Sequence, residues 1–234
     1  MNRAELNKAI IYATEIVRQD EVYIIGSQSI LGSFDEEELP ADVTLSNEVD
    51  IAPVADDPDE TAATLLDGQI GELSEFHAEN GFYIQGVGKR TANLPQGWKA
   101  RLVPVRPPGH PKSVGLCLEP HDLCAAKLLA NREKDRAFVT SLLEAGLVNA
   151  KTIRARIDAL DPNGVSGDRI QVARKWAKWA IEEYPEPKHA DNQAATKLRS
   201  SADRRQASSS GQRRELNGEY GQKTHSKPEI ELLG

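Results

Sequence analysis

The chain is poor in cysteine and in aromatic residues, and it has no long apolar run. It has two cysteines in 234 residues, Cys117 and Cys124. Two thiols cannot make a disulfide framework, and with no His pair nearby at finger spacing they do not make a zinc site. They read as buried free thiols. Aromatic residues are 5% of the chain, lean even for an ordinary soluble protein. No apolar run approaches the roughly 20 residues that a membrane-spanning helix needs. The opening Met1-Asn2-Arg3-Ala4-Glu5-Leu6 lacks the charged-then-apolar layout of a secretory signal, so a cytoplasmic protein is expected.

Basic residues are missing where acids gather. The net charge is −7, and between Asp35 and Asp67 there are twelve acids and no Lys or Arg. From Lys188 onward nine basic residues meet six acidic ones, a net of +3, so residues 1–187 carry −10. Such a field repels nucleic acid unless a metal or local basic groups offset it. Most of these acids read as a solvated loop. Glu48 and Asp50 differ because they fall within a strand pattern.

Apolar spacing predicts an amphipathic helix over 3–19, with Leu6, Ile10, Ala13 and Val17 on one face. A strand over 21–25 follows, then a short helix over 27–33 with Ser27 as its N-cap. Residues 34–47 read as an acidic loop and 48–54 as a second strand. Asp59 is expected to cap a helix running to about Ala78 through Leu65, Leu66, Ile70, Leu73 and Phe76. The Asn80-Gly81 turn leads into strands over 81–88, 100–106 and 113–118. From Glu119 the pattern turns helical: 121–131 and 133–145 as two helices or one long one, then 149–160 and 166–184. Residues 187–234 are rich in Ser, Gln, Arg and Lys, and are expected to be disordered because they bury too little apolar surface. The fold class is thus α/β (α+β): a small mixed sheet over 1–118, a helical lobe over 119–186 and a tail over 187–234.

The chemistry concentrates in two short motifs. Alternate side chains of a strand share a face, so Glu48 and Asp50 stand side by side while Val49 and Ile51 turn to the core. Adjacent carboxylates repel unless a cation lies between them, and hard divalent ions with oxygen ligands suit that place. The Gly26-Ser27 turn after a strand can set backbone N–H groups against a phosphate. The two together suggest a metal-assisted nucleotide site. The same carboxylate pair is also compatible with the solvated face of an edge strand.

Strand, Gly26-Ser27, helix, then a strand with Glu48-x-Asp50 resembles the nucleotidyltransferase fold of the DNA polymerase β superfamily. The later Glu119-Pro120-His121-Asp122-Leu123-Cys124-Ala125-Ala126-Lys127-Leu128 and Asn131-Arg132-Glu133-Lys134-Asp135 are similar to the helical part of AbiEii-type nucleotidyltransferases, the toxin halves of some bacterial defence and toxin–antitoxin systems. The likeness covers residues 8–145. It implies Gly26 and Ser27 as the phosphate turn, Glu48 and Asp50 as Mg²⁺ ligands, Lys127 as a phosphate contact and Asp135 as the late acid. It implies an NTP substrate, an RNA acceptor such as tRNA, and a cognate antitoxin protein as partner.

Three departures from the family pattern stand out. The first carboxylate is Glu48 where the family more often has Asp. Twenty residues separate Ser27 from Glu48, more than usual. The strand over 98–106 lacks the third acid that many members use on the acceptor hydroxyl. A catalytically quiet binding module on the same fold therefore stands as the alternative. His121 with Asp122 reads as a helix-capping pair, Arg101 and Arg106 as surface residues, and Trp176 with Trp179 as packing.

Overall fold

The computed structural model describes residues 1–88, 91–161 and 164–185. The expected disordered tail, 187–234, lies outside them.

The first helix, α1 (Arg3–Val17), begins where Asn2 and Glu5 exchange side chain-to-backbone hydrogen bonds in a capping box. Its buried face of Leu6, Ala9, Ile10 and Ala13 lies on the sheet. The close approach explains Gly115, where a Cβ would stand 2.4 Å from the Ile10 Cδ1.

Five strands form one mixed sheet: β1 (Glu21–Ile24), β2 (Glu48–Pro53), β3 (Tyr83–Gly86), β4 (Val103–Val105) and β5 (Val114–Cys117). Their order is β3-β2-β1-β5-β4. β1 runs antiparallel to β2 and parallel to β5, while β3 runs parallel to β2. β2 is therefore an interior strand, and the edge-strand reading of Glu48 and Asp50 is corrected. The acidic stretch after β1 folds as two short 3₁₀ turns, Glu36–Glu38 and Ala41–Thr44.

The helix expected to reach Ala78 is two helices, α2 (Thr61–Ile70) and α3 (Glu75–Asn80). Asp56 and Asp57, not Asp59, accept from the first N–H groups of α2. The break comes at Gly71, where a Cβ would meet the Asp67 carbonyl oxygen at 2.2 Å. Leu73 then takes a left-handed φ of 66° and is 91% exposed rather than part of a buried stripe. Ser74 caps α3.

The C-terminal half holds α4 (Pro120–Ala130), α5 (Glu133–Glu144), α6 (Ala150–Asp158) and α7 (Gly167–Glu183). Asn131, at φ 56°, ends α4 and separates it from α5. The two-helix alternative thus holds. The buried core is continuous from Leu6 and Ile24 through Leu123 and Leu142 to Ala180. α4 packs on the segment after β1, and α5 on the Ala41–Thr44 turn. This packing closes a cleft over the end of β1 and the exposed face of β2.

Candidate functional site

Register builds the carboxylate side of the site. The Ile25 N–H donates to the Asp50 carbonyl at 3.1 Å, extending the β1–β2 pairing by one rung. That rung sets Gly26 against the Asp50 side chain. A Cβ on residue 26 would lie 1.6 Å from Asp50 Oδ2, so only glycine fits. Val49 and Ile51 are fully buried, while Glu48 and Asp50 are half-buried on the opposite face. Burial, then the charge and hydrogen bond of Glu48, push the Asp50 carboxyl up to about 6 despite the nearby cations Lys127 and Arg132.

Gly26 also opens the 3₁₀ turn Ser27–Gly32, but no side chain caps it. The expected capping role of Ser27 is corrected. Its hydroxyl oxygen accepts from Lys127 Nζ at 2.8 Å, across a sequence separation of 100 residues. Lys127 also donates to Asp135 Oδ1 at 3.0 Å, and its ammonium sits 4.4 Å from the centre of the Phe138 ring. Asp135 is fully buried. Arg132 holds its other oxygen, with Nε to Oδ2 at 2.6 Å. Burial raises the Asp135 carboxyl, but the Arg132 hydrogen bond and the Lys127 charge outweigh it and hold it below its ordinary value.

These groups face a cavity of about 510 Å³ lined by Gly26, Ser27, Glu48, Asp50, Lys127 and Asp135. All six residues singled out in the sequence therefore share one cleft. The sequence reading missed Arg132, which also lines it. The available signal was its place three residues before Asp135, the helical ion-pair spacing.

The stretch expected as a strand over 98–106 is a strand only at Val103–Val105. Residues 98–101 form a 3₁₀ turn, and β4 lies at the sheet edge, two strands from β1 and three from β2. The strand beside the carboxylates is β3, where Tyr83 pairs with Glu48 and Gln85 with Asp50. The Tyr83 hydroxyl donates to Glu48 Oε2 at 3.4 Å. Among the described residues no three of His, Cys, Asp or Glu gather into a metal-binding group. A divalent ion would thus have two protein carboxylates. Their mutual repulsion and the raised Asp50 carboxyl fit such an ion, with phosphate and water filling its remaining places.

Two expectations around α4 are corrected. Glu119, not His121 with Asp122, caps the helix, accepting from the N–H groups of both residues. Asp122 is fully buried and bound by Arg101 through Nε at 2.8 Å and Nη2 at 2.9 Å. Arg156 Nε lies 3.0 Å from the same carboxylate. Arg101 is accordingly a structural clasp on α4, the helix that carries Lys127, and not a free surface charge.

A mixed sheet with a glycine-serine turn, paired carboxylates on the neighbouring strand and a helical lobe closing over both is the frame of a nucleotidyltransferase. The family model described as "Nucleotidyltransferase of unknown function (DUF6036)" matches residues 4–184, and the chain belongs to that family. No curated protein and no solved structure matches it. Among the described residues no helix is long and apolar enough to cross a membrane.

Proposed function

We propose that this nucleotidyltransferase-family protein moves a nucleotide from an NTP to a macromolecular acceptor, with Mg²⁺ held by Glu48 and Asp50. The observation that carries the reading is the convergence on one cleft of Gly26-Ser27, the carboxylate pair and Lys127 from three separate parts of the chain. Bound there, Mg²⁺ would offset charge on the transferred phosphate. Ser27 accepts from Lys127, which leaves its own hydroxyl hydrogen for a phosphate oxygen. Lys127 spends two of its three N–H donors on Ser27 and Asp135 and keeps the third for the nucleotide. The bond between the α-phosphorus and the bridging oxygen breaks, pyrophosphate leaves with the electron pair, and an acceptor hydroxyl oxygen takes its place, its proton passing to solvent water. RNA, with tRNA first, is the acceptor class to test, and a toxin-like role opposed by a cognate antitoxin follows from the AbiEii-type likeness.

One observation favours a second reading. β3 presents Tyr83 and Gln85 beside the carboxylates, so no acid there takes the acceptor's proton. A module that binds nucleotide without efficient transfer fits that feature. Calorimetry across the four NTPs with and without Mg²⁺ tests the site, using wild type and Glu48→Ala/Asp50→Ala. Transfer from labelled NTP to total RNA then separates the two readings. Metal-dependent binding that the double variant loses supports the site. Binding without any transfer leaves the quiet module.

A further inference from the structure

Asp135 serves two cations, not one. Lys127 takes Oδ1 at 3.0 Å, and Arg132 takes Oδ2 through Nε at 2.6 Å and Oδ1 through Nη2 at 3.3 Å. The carboxylate is fully buried, whereas the Arg132 side chain is 61% exposed and borders the cavity. Two positive charges against one negative leave a net positive charge on this wall. Only one edge of the guanidinium is used: Nη1 and the second hydrogen of Nη2 have no protein partner among the described residues. Arg132 is also close enough to feel the charges of Asp50 and Glu48 across the cleft. A fork held at one edge by a buried acid and open at the other suits bidentate recognition of phosphate.

We propose that Arg132 is a second phosphate-binding cation, held in place by Asp135, that grips the outer phosphates of the bound NTP. This rests on the reading of the cleft as a nucleotide site. Lys127, tied to the Ser27 turn, holds the inner end of the triphosphate chain, and Arg132 at the mouth holds its outer end. The alternative is that Arg132 merely neutralises Asp135, as any i, i+3 pair does.

The two differ in what the protein can tell apart. Calorimetry on the full chain with Mg²⁺ would use each NTP, its nucleoside monophosphate and inorganic pyrophosphate, comparing wild type with Arg132→Ala and Arg132→Gln. The glutamine can still donate to Asp135 and so guards against a variant that simply loosens α5, with melting temperature as the check. The expected result is a loss of about tenfold or more in NTP and pyrophosphate affinity, with monophosphate affinity within about twofold of wild type. Equal losses for NTP and monophosphate, or none for either, overturn the proposal. If wild type binds no NTP, the nucleotide reading itself fails and this inference goes with it. If wild type binds NTP and both variants match it, only the role of Arg132 fails.

Discussion

Asp50 Oδ2 occupies the space that a Cβ on Gly26 would need, 1.6 Å from where that carbon would stand. Turn and carboxylate are therefore built as one unit: the residue that opens the turn after β1 must be glycine because the metal-ligand candidate on β2 lies across it. Gly26→Ala has to push the Asp50 side chain or the turn aside. Such overpacking costs about 1–3 kcal/mol. Thermal melting will show a lowered midpoint, and Mn²⁺ binding followed by electron paramagnetic resonance will weaken with it.

Asp50→Asn will separate stability from function. The folded carboxyl titrates at about 6 against an ordinary 3.8. Between those values the folded state holds the proton more often than the unfolded state does. Stability therefore falls as pH rises through that window and stays lower above it. Removing the charge relieves this, so the asparagine variant is expected to melt higher than metal-free wild type at pH 7 to 8, by the equivalent of about 1–2 kcal/mol. It will bind divalent ions and Mg²⁺–NTP poorly. Equal melting temperatures at neutral pH would remove the electrostatic argument.

Divalent-ion binding by wild type should be strong above pH 7 and fall as pH drops through about 6, since the ion competes with the proton on Asp50. Calorimetric Mn²⁺ titrations at several pH values check this. Affinity that stays flat down to pH 5 would mean that Asp50 is not a ligand.

Asp135→Asn leaves Lys127 and Arg132 without their shared buried partner. Breaking such a pair from one side costs about 3–5 kcal/mol. The carboxyl is held below its ordinary value in the fold, so its contribution is present above the unfolded value and lost as pH falls towards the folded one. Urea unfolding is expected to show a large loss for the variant at pH 7 and a smaller gap between variant and wild type in acid.

Asp122→Ala tests the clasp on α4. The fully buried carboxylate is bound by Arg101 and approached by Arg156, and its removal should cost about 3 kcal/mol. Nucleotide affinity of the folded fraction is expected to fall only modestly, because Asp122 does not line the cleft. A complete loss of binding with unchanged melting would place Asp122 in the site instead.

The sequence by itself determined most of the elements and which residues would share a cleft. Val22 to Ile25 and Val49 to Ile51 announce buried strands through apolar content and alternation. The i, i+2 spacing of Glu48 and Asp50 decides that they share a face, whatever the rest of the chain does. Asn131, by contrast, decides between the two helices and the one long helix that the pattern left open, because its left-handed backbone ends α4. The break at Gly71 is local too: the chain passes close to the Asp67 carbonyl one turn earlier in the same helix, which apolar spacing alone does not show.

Only tertiary structure decided the partners. Ser27 and Lys127 meet across 100 residues, and Arg101 and Asp122 meet because α4 docks beside the turn before β4. Sheet order, which is set by how the layers bury their apolar faces, put β3 rather than β4 beside the carboxylates. Hydrogen-bond partners and strand neighbours depend on long-range packing, whereas face and period depend only on the local backbone. For that reason the cleft's residues could be read along the chain, but the wiring between them could not.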